Sequence, residues 1–216
     1  MKQGRQTAHG KFITLEGVEG VGKSTHLDYI SRYLQKHGIR VRVTREPGGT
    51  PAADEIRKIL LANRTEQFQP TAELLLMFAA RALHVENVIR PTLTAGTWIV
   101  CDRFTDASYA YQGGGRGIAA QHIESLERMV LHGLRPDLTI LLDARIEVGL
   151  ARVKRRGALD RFEHERDDFF KRVRGVYLKR ARRNPRRIKM VNAGGRIADV
   201  QAEISAILDQ RLARWL

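Results

Sequence analysis

The nine residues "GVEGVGKST", from Gly17 to Thr25, carry the clearest chemistry in the chain. Gly17, Gly22, Lys23 and Ser24 satisfy the spacing G-x-x-x-x-G-K-[ST]. Glycines there let backbone N–H groups curl around phosphate oxygens. The lysine reaches the β- and γ-phosphates, and the serine hydroxyl can ligate Mg²⁺. The apolar stretch "KFITLE" precedes the loop and the helical pattern "HLDYISRYLQKHG" follows it. The loop therefore joins strand to helix, and the helix opening at Lys23 adds its positive N-terminal end. These features predict nucleotide binding; a glycine-rich turn with a chance lysine would leave the strand and the Ser-Thr pair unexplained. A GTPase would also carry DxxG and NKxD motifs, and neither string occurs. The run "WIVCDR" predicts a strand ending in Asp102, which suits Mg²⁺ or simply begins a turn. Arg103, at the carboxyl end of that strand, is placed to hold an anion.

Short apolar, often β-branched runs bounded by Gly, Pro or Asp predict strands at 11–16, 40–46, 97–102, 137–143 and 187–192. Helical patterns predict helices at 23–37, 51–62, 70–94, 117–132, 146–156, 164–182 and 196–213. The pattern 70–94 is nearly all apolar at its start and should be deeply buried. Alternating strands and helices imply an α/β fold, a parallel sheet covered on both faces, with ligands at the carboxyl ends of the strands. No repeat, low-complexity tract or linker divides the 216 residues. The glycine run at 113–115 reads as a flexible loop, at least in part.

Composition narrows the class. Hydrophobic residues make up 43% of the chain, as in globular proteins. No apolar run approaches the roughly 20 residues that span a bilayer. The polar start "MKQGRQTAHG" lacks a signal-peptide core, and the single cysteine, Cys101, sits in an apolar run as a buried inert thiol. Together these features predict a cytoplasmic protein without a membrane partner. The net charge is +14, and residues 145–187 hold sixteen Lys/Arg against six Asp/Glu. Such a block suits nucleic acid, a phosphate-rich small substrate or a solvated helix face.

Three strings read together, "TREPGGT" (44–50), "MFAARALH" (77–84) and "CDRFTDASYAYQGGGRG" (101–117), make the chain resemble the thymidylate kinases from about Lys11 to the last helix. The resemblance implies a P-loop NTPase fold of the nucleoside monophosphate kinase type. It would form one domain, 11–216, after a tail at 1–10, with five parallel strands, helices on both faces and a short lid at about 154–165. It implies phosphoryl transfer from ATP to dTMP with Mg²⁺ held by Ser24 and Asp102, a homodimer built on helices such as 70–94, and no nucleic acid partner.

By resemblance, the loop residues Gly17, Val18, Glu19, Gly20, Val21, Gly22, Lys23, Ser24 and Thr25 bind ATP, and Asn192 and Ala193 border its adenine. Glu19 also lies near the sugar and phosphate of the acceptor. Arg103 and Arg57 hold the acceptor phosphate, with Glu46 and Pro47 beside them. Arg81 hydrogen-bonds thymine, Ser108 and Gln112 line the base, and Tyr111 crowds the ribose 2′ position. Relatives stack a phenylalanine on thymine four residues before the arginine; here Met77 stands there and Phe78 follows it. Phe78 shares a helix face with Arg81, so it is expected to stack from a shifted start with Met77 beside it. Members of the family supply the arginine for the transferred phosphoryl group either from the phosphate loop or from the lid; with Gly20 at the loop position, the resemblance implies the bacterial form with a lid arginine. Arg156 and Arg161 are the candidates, with Arg155 a third. Catalysis would rest on Lys23, Arg103 and that arginine. Two alternatives remain: a different small-molecule kinase acting on a nucleoside or another monophosphate, where a hydroxyl acceptor would use Glu16 or Glu19 as base, and a basic nucleic-acid-binding NTPase.

Overall fold

The computed structural model describes residues 9–216 except 64, 67, 158 and 159, and except the side chains of Lys154 and Arg156. Most of the expected tail at 1–10, part of the lid and the Arg156 side chain thus lie outside the described residues. Among the described residues, five strands form one sheet: β1 (Phe12–Glu16), β2 (Val41–Arg45), β3 (Trp98–Asp102), β4 (Leu138–Asp143) and β5 (Ile188–Asn192). All neighbours run parallel, in the order β2-β3-β1-β4-β5. Ile13 of β1 lies level with Val100 of β3 and Leu138 of β4. The central strands are buried along nearly their whole length because both their faces are covered. The edge strand β2, with alternating Arg and Val, stays half in solvent.

Helices α1 (Lys23–Lys36), α2 (Pro51–Leu61), α3 (Pro70–His84), α4 (Arg90–Thr94) and α5 (Thr105–Ser108) come from the first half of the chain. Helices α6 (Ala120–Leu131), α7 (Ile146–Arg156), α8 (Asp167–Arg183) and α9 (Ile197–Trp215) follow. Side chains alternate across a strand. Ile13, Leu15 and Val100 meet Ile30 and Leu34 of α1 and Ile204 and Leu208 of α9. Phe12, Ile99 and Cys101 point the other way, to Ile89, Leu93 and Leu131. Cys101 is buried, and burial raises its thiol pKa well above the usual value. From β1 the chain runs out to β2, back to β3, and then across to β4. The loops after β1 and β3 therefore part at the carboxyl edge of the sheet, where a cleft forms.

Two stretches differ from the sequence expectation. Residues 70–94 are helical throughout but not one α-helix: the turn widens at Val85–Ile89 between α3 and α4. Pro91 has no amide hydrogen to continue the ladder, and the widened turn lies just ahead of it. The glycine run is not a flexible loop. A second wide-turned helix, Tyr109–Gly115, continues α5 and packs along α8. A Cβ on Gly114 would fall 2.6 Å from Val176 Cγ2, and one on Gly115 would collide with the Phe169 ring. The glycines are what allow α8 to lie against the segment carrying Ser108, Tyr111 and Gln112.

Candidate functional site

The cleft encloses about 460 Å³. The phosphate loop forms one wall with Glu19, Gly20, Gly22, Lys23, Ser24 and Thr25, and Asp102 and Arg103 form its floor. Gly22 takes a left-handed conformation at the N-cap of α1, and no side chain caps that helix. Its first amides are thus available to an anion. Lys23 lies along the loop, donating from Nζ to Gly17 O at 3.2 Å and Val18 O at 2.9 Å. Burial lowers its pKa, reinforced by Arg103 and opposed by Glu19 and Asp102. Val18 and Val21 turn into the core, so they offer the site only their backbone.

Arg103 organises the floor. Its φ is 67°, a left-handed value unusual for a residue with a side chain. Two hydrogen bonds flank that turn: Arg103 N donates to Leu15 O at 3.0 Å, and Phe104 N to Glu16 Oε1 at 2.8 Å. The guanidinium donates to Gly17 O at 3.0 Å, Glu19 Oε1 at 2.7 Å, Tyr111 Oη at 2.8 Å and Tyr177 Oη at 3.2 Å. Burial disfavours its charge, yet Glu19, Tyr111, Tyr177 and Asp102 outweigh burial and hold its pKa well above the ordinary value. Behind it, Tyr177 Oη donates to Glu16 Oε2 at 2.7 Å. Glu16 is fully buried; burial, with Asp106 nearby, raises its pKa to about 7.

Opposite the phosphate loop stand Glu46, Pro47, Arg57, Leu61, Met77, Ala107, Tyr111 and Gln112. Arg57 is held by Pro47 O at 2.9 Å, and burial lowers its pKa, with Arg45 adding to the effect. Met77 is on the cleft wall. Phe78 is not: it is buried beside Leu74, Tyr109 and Ile123, under the Arg81 guanidinium at 4.6 Å. Successive helix positions turn by about 100°, which carries the residue after Met77 off the cleft face. The expectation that Phe78 stacks on a base is therefore corrected. Arg81 and Ser108 also sit behind the wall. Arg81 is 1% exposed and donates to Glu46 Oε2 at 2.7 Å, Ser108 Oγ at 3.0 Å and Phe104 O at 3.1 Å.

The lid departs most from expectation. Arg161 does not face the phosphate loop. It donates to Leu60 O at 2.9 Å and to the buried Glu73 Oε2 at 2.8 Å, which turns it toward α2 and α3. The cleft is reached instead by Arg152 of α7, which donates to Gly20 O and Ala193 O, both at 3.4 Å. Two glycines make this possible: a Cβ on Gly20 would overlap Gly149 O and one on Gly149 would overlap Glu19 O, so the loop and α7 meet backbone to backbone. A glycine inside the helical pattern "EVGLARV", one turn before an arginine, is the sequence signal for this contact. Asp160, Phe162 and Glu163 of the lid also line the cleft, unmarked by any motif. Ala193 touches the site through Arg152; Asn192 is exposed and accepts from Gly194 N at 3.0 Å.

Asp102 Oδ1 is buried with no hydrogen-bond partner among the described residues. Ser24 shares the cleft with it. No group of three or more His, Cys, Asp or Glu side chains among the described residues could hold a metal by itself. An orphaned carboxylate oxygen and a hydroxyl beside a phosphate loop fit Mg²⁺, which takes one or two protein oxygens together with phosphates.

A family model described as thymidylate kinase matches residues 15–204. The thymidylate kinase of Pseudomonas putida (strain GB-1) is 54% identical over 199 residues, 92% of this chain and 95% of the relative. That of Pseudomonas syringae pv. syringae (strain B728a) is 54% identical over 203 residues, covering 94% and 97%. The crystal structure of thymidylate kinase from Ehrlichia chaffeensis superposes with a TM-score of 0.75 at 31% identity, over 93% of this chain and 99% of that one.

The buried Glu16 gives a stability test. Its folded pKa of about 7 exceeds the ordinary 4.5, so the folded protein binds the extra proton between those values. Stability from this group is therefore full below pH 4.5 and falls as pH rises to 7, by at most about 1.4 kcal/mol per pH unit. Urea unfolding of Glu16→Gln at pH 5 and pH 8 should show a smaller loss across that interval than the unmodified chain shows.

Proposed function

Because this chain belongs to the thymidylate kinase family, we propose how its cleft divides the work of the family reaction, phosphorylation of dTMP by ATP to dTDP and ADP. The observation that carries the proposal is the Arg103 cluster. One guanidinium touches the phosphate loop at Gly17 and Glu19 and also Tyr111 of the opposite wall, so it stands where a donor and an acceptor phosphate would meet.

The phosphate loop, Lys23 and the first turn of α1 hold the ATP phosphates. Arg57 and Arg103 hold the dTMP phosphate, and Met77, Tyr111 and Gln112 bound its nucleoside. Ser24 and Asp102 hold Mg²⁺, which when bound neutralises charge on the phosphates of ATP. The nucleophile is a phosphate oxygen, already anionic at neutral pH, so no general base is needed. Glu16 has another task, since both its oxygens are committed to Phe104 N and Tyr177 Oη. Positioning and charge neutralisation supply the rate. Arg152 is our choice for the arginine that stabilises the transferred phosphoryl group, in place of Arg161. Arg81 braces Glu46 behind the wall, and removing one partner of a buried pair costs about 3–5 kcal/mol. Loss of Arg81 would therefore report on folding as well as on substrate use.

The basic block supports this reading over a nucleic-acid-binding one. Several of its arginines hold α8 and β5 in the fold. Arg174 makes two bonds to Asp143, at 2.7 and 2.8 Å, and Arg180 and Arg187 both reach the buried Asp106. We also propose that two copies of the chain pair through α2, α3 and α6. These helices pack side by side and expose Ile59, Leu75 and Met129, the last at 63%. No helix among the described residues is long and apolar enough to cross a membrane.

Three outcomes are expected. With ATP and Mg²⁺, the protein should turn over dTMP strongly, dUMP weakly, and thymidine not at all. Arg152→Ala should lower kcat by at least about a hundredfold while changing the KM for dTMP little. Turnover of thymidine but not dTMP would refute the acceptor assignment. In sedimentation, the unmodified chain should run as a dimer, and joint Leu75→Glu and Met129→Glu substitution should yield monomers; an unchanged boundary would refute the proposed interface.

A further inference from the structure

Behind the acceptor side of the cleft, Glu73 of α3 is completely buried and surrounded by donors. Its Oε1 accepts from Gln112 Nε2 at 2.8 Å. Its Oε2 accepts from Arg116 Nε at 3.1 Å and from the lid residue Arg161 at 2.8 Å. Arg116 in turn pairs with Glu165, so the carboxylate is locked from the lid side as well. Glu73 does not line the cleft; Gln112 does.

The consequence lies in the Gln112 amide. A carboxylate accepts and does not donate, so it is the NH₂ end of Gln112 that must face Glu73. The Oε1 end is then left over. It is buried and has no hydrogen-bond partner among the described residues. An unmet buried acceptor is unfavourable, so it favours a ligand that brings a donor. The imide N–H of thymine or uracil is such a donor. Cytosine offers a lone pair at the same ring position, which would meet a lone pair.

We propose that Glu73 is a positioning residue that sets acceptor-base selectivity by holding the Gln112 amide with its oxygen turned to the base. It acts without touching substrate. The inference rests on the dTMP kinase reading and adds to it the group that orients base recognition. It also explains why two arginines converge on one buried carboxylate. They hold the Glu73 side chain in place, and Arg161 joins that anchor to the lid.

The test is steady-state kinetics with dTMP and dCMP on the full chain, for Glu73→Gln, Gln112→Ala and the double variant. The carboxamide in Glu73→Gln both donates and accepts, which frees the Gln112 amide to flip. The dTMP to dCMP ratio of kcat/KM should fall at least about tenfold in Glu73→Gln, mainly through KM. In the Gln112→Ala background, the same change should move the ratio less than about twofold, since the residue it acts through is gone. A ratio that stays fixed in Glu73→Gln, or that shifts equally with Gln112 absent, would overturn the proposal. Thermal unfolding checks each variant. If Glu73→Gln does not fold, Glu73→Asp keeps the charge but withdraws it by one methylene. A folded Asp variant should still narrow the ratio by about threefold, and an unchanged ratio would overturn the proposal. Absence of dTMP turnover by the unmodified chain would instead overturn the kinase reading, and this inference with it.

Discussion

The site depends on keeping the Arg103 guanidinium charged and fixed at the carboxyl edge of the sheet. A buried cation is costly unless its donors are met. Here the partners come from separate parts of the chain: Gly17 and Glu19 after β1, Tyr111 on the wide-turned helix, and Tyr177 on α8. Each partner therefore constrains where its own element can lie. The left-handed backbone at Arg103 follows from the same demand, with Glu16 accepting the next amide across the strand ends. Packing supports the arrangement. The glycines at 114 and 115 let α8 come close enough for Tyr177 to reach both Glu16 and Arg103.

The same economy of charge governs the other cations around the cleft. Phosphoryl transfer between two nucleotides brings together groups that are all anionic, so the protein must supply cations and hold them apart until substrate arrives. Lys23 leans on loop carbonyls, Arg57 on Pro47, and Arg152 on Gly20 and Ala193. Backbone carbonyls are weak partners compared with carboxylates, and phosphate oxygens can replace them with gain. The arginines that must not move are paired differently. Arg81 is locked to Glu46, and Arg161 to Glu73. The distinction between carbonyl-held and carboxylate-held cations separates those available to substrate from those that brace the walls. Arg103 and Lys23 join both sets, since Lys23 Nζ also lies 3.7 Å from Glu19 Oε2.

Much of the fold is legible in the sequence because the sheet is buried on both faces. The inner strands are short and mostly apolar, and each of the five falls within about a residue of its expected place. The phosphate loop and Arg103 are legible because glycine spacing and the ends of strands leave marks in sequence. The wide-turned helix at 109–115 leaves none: three glycines read as a loop, and only the nearness of Phe169 and Val176 gives them helical work. Side-chain direction is equally hidden. Nothing local tells that Arg161 turns away from the cleft, since that choice is made by Glu73, far away in sequence; for Arg152 the one local mark is Gly149, a turn before it. Met77 and Phe78 differ by one helix position, and tertiary packing decides which faces the cleft.

The most direct test of this account is steady-state kinetics of Arg103→Lys with dTMP and ATP varied independently. Lysine keeps the charge but not the planar fork that reaches Gly17, Glu19 and Tyr111 together. The account predicts at least a hundredfold loss in kcat/KM for dTMP, with the KM for ATP within a few-fold of the unmodified value. A loss confined to ATP, or near-normal use of dTMP by a folded variant, would contradict it.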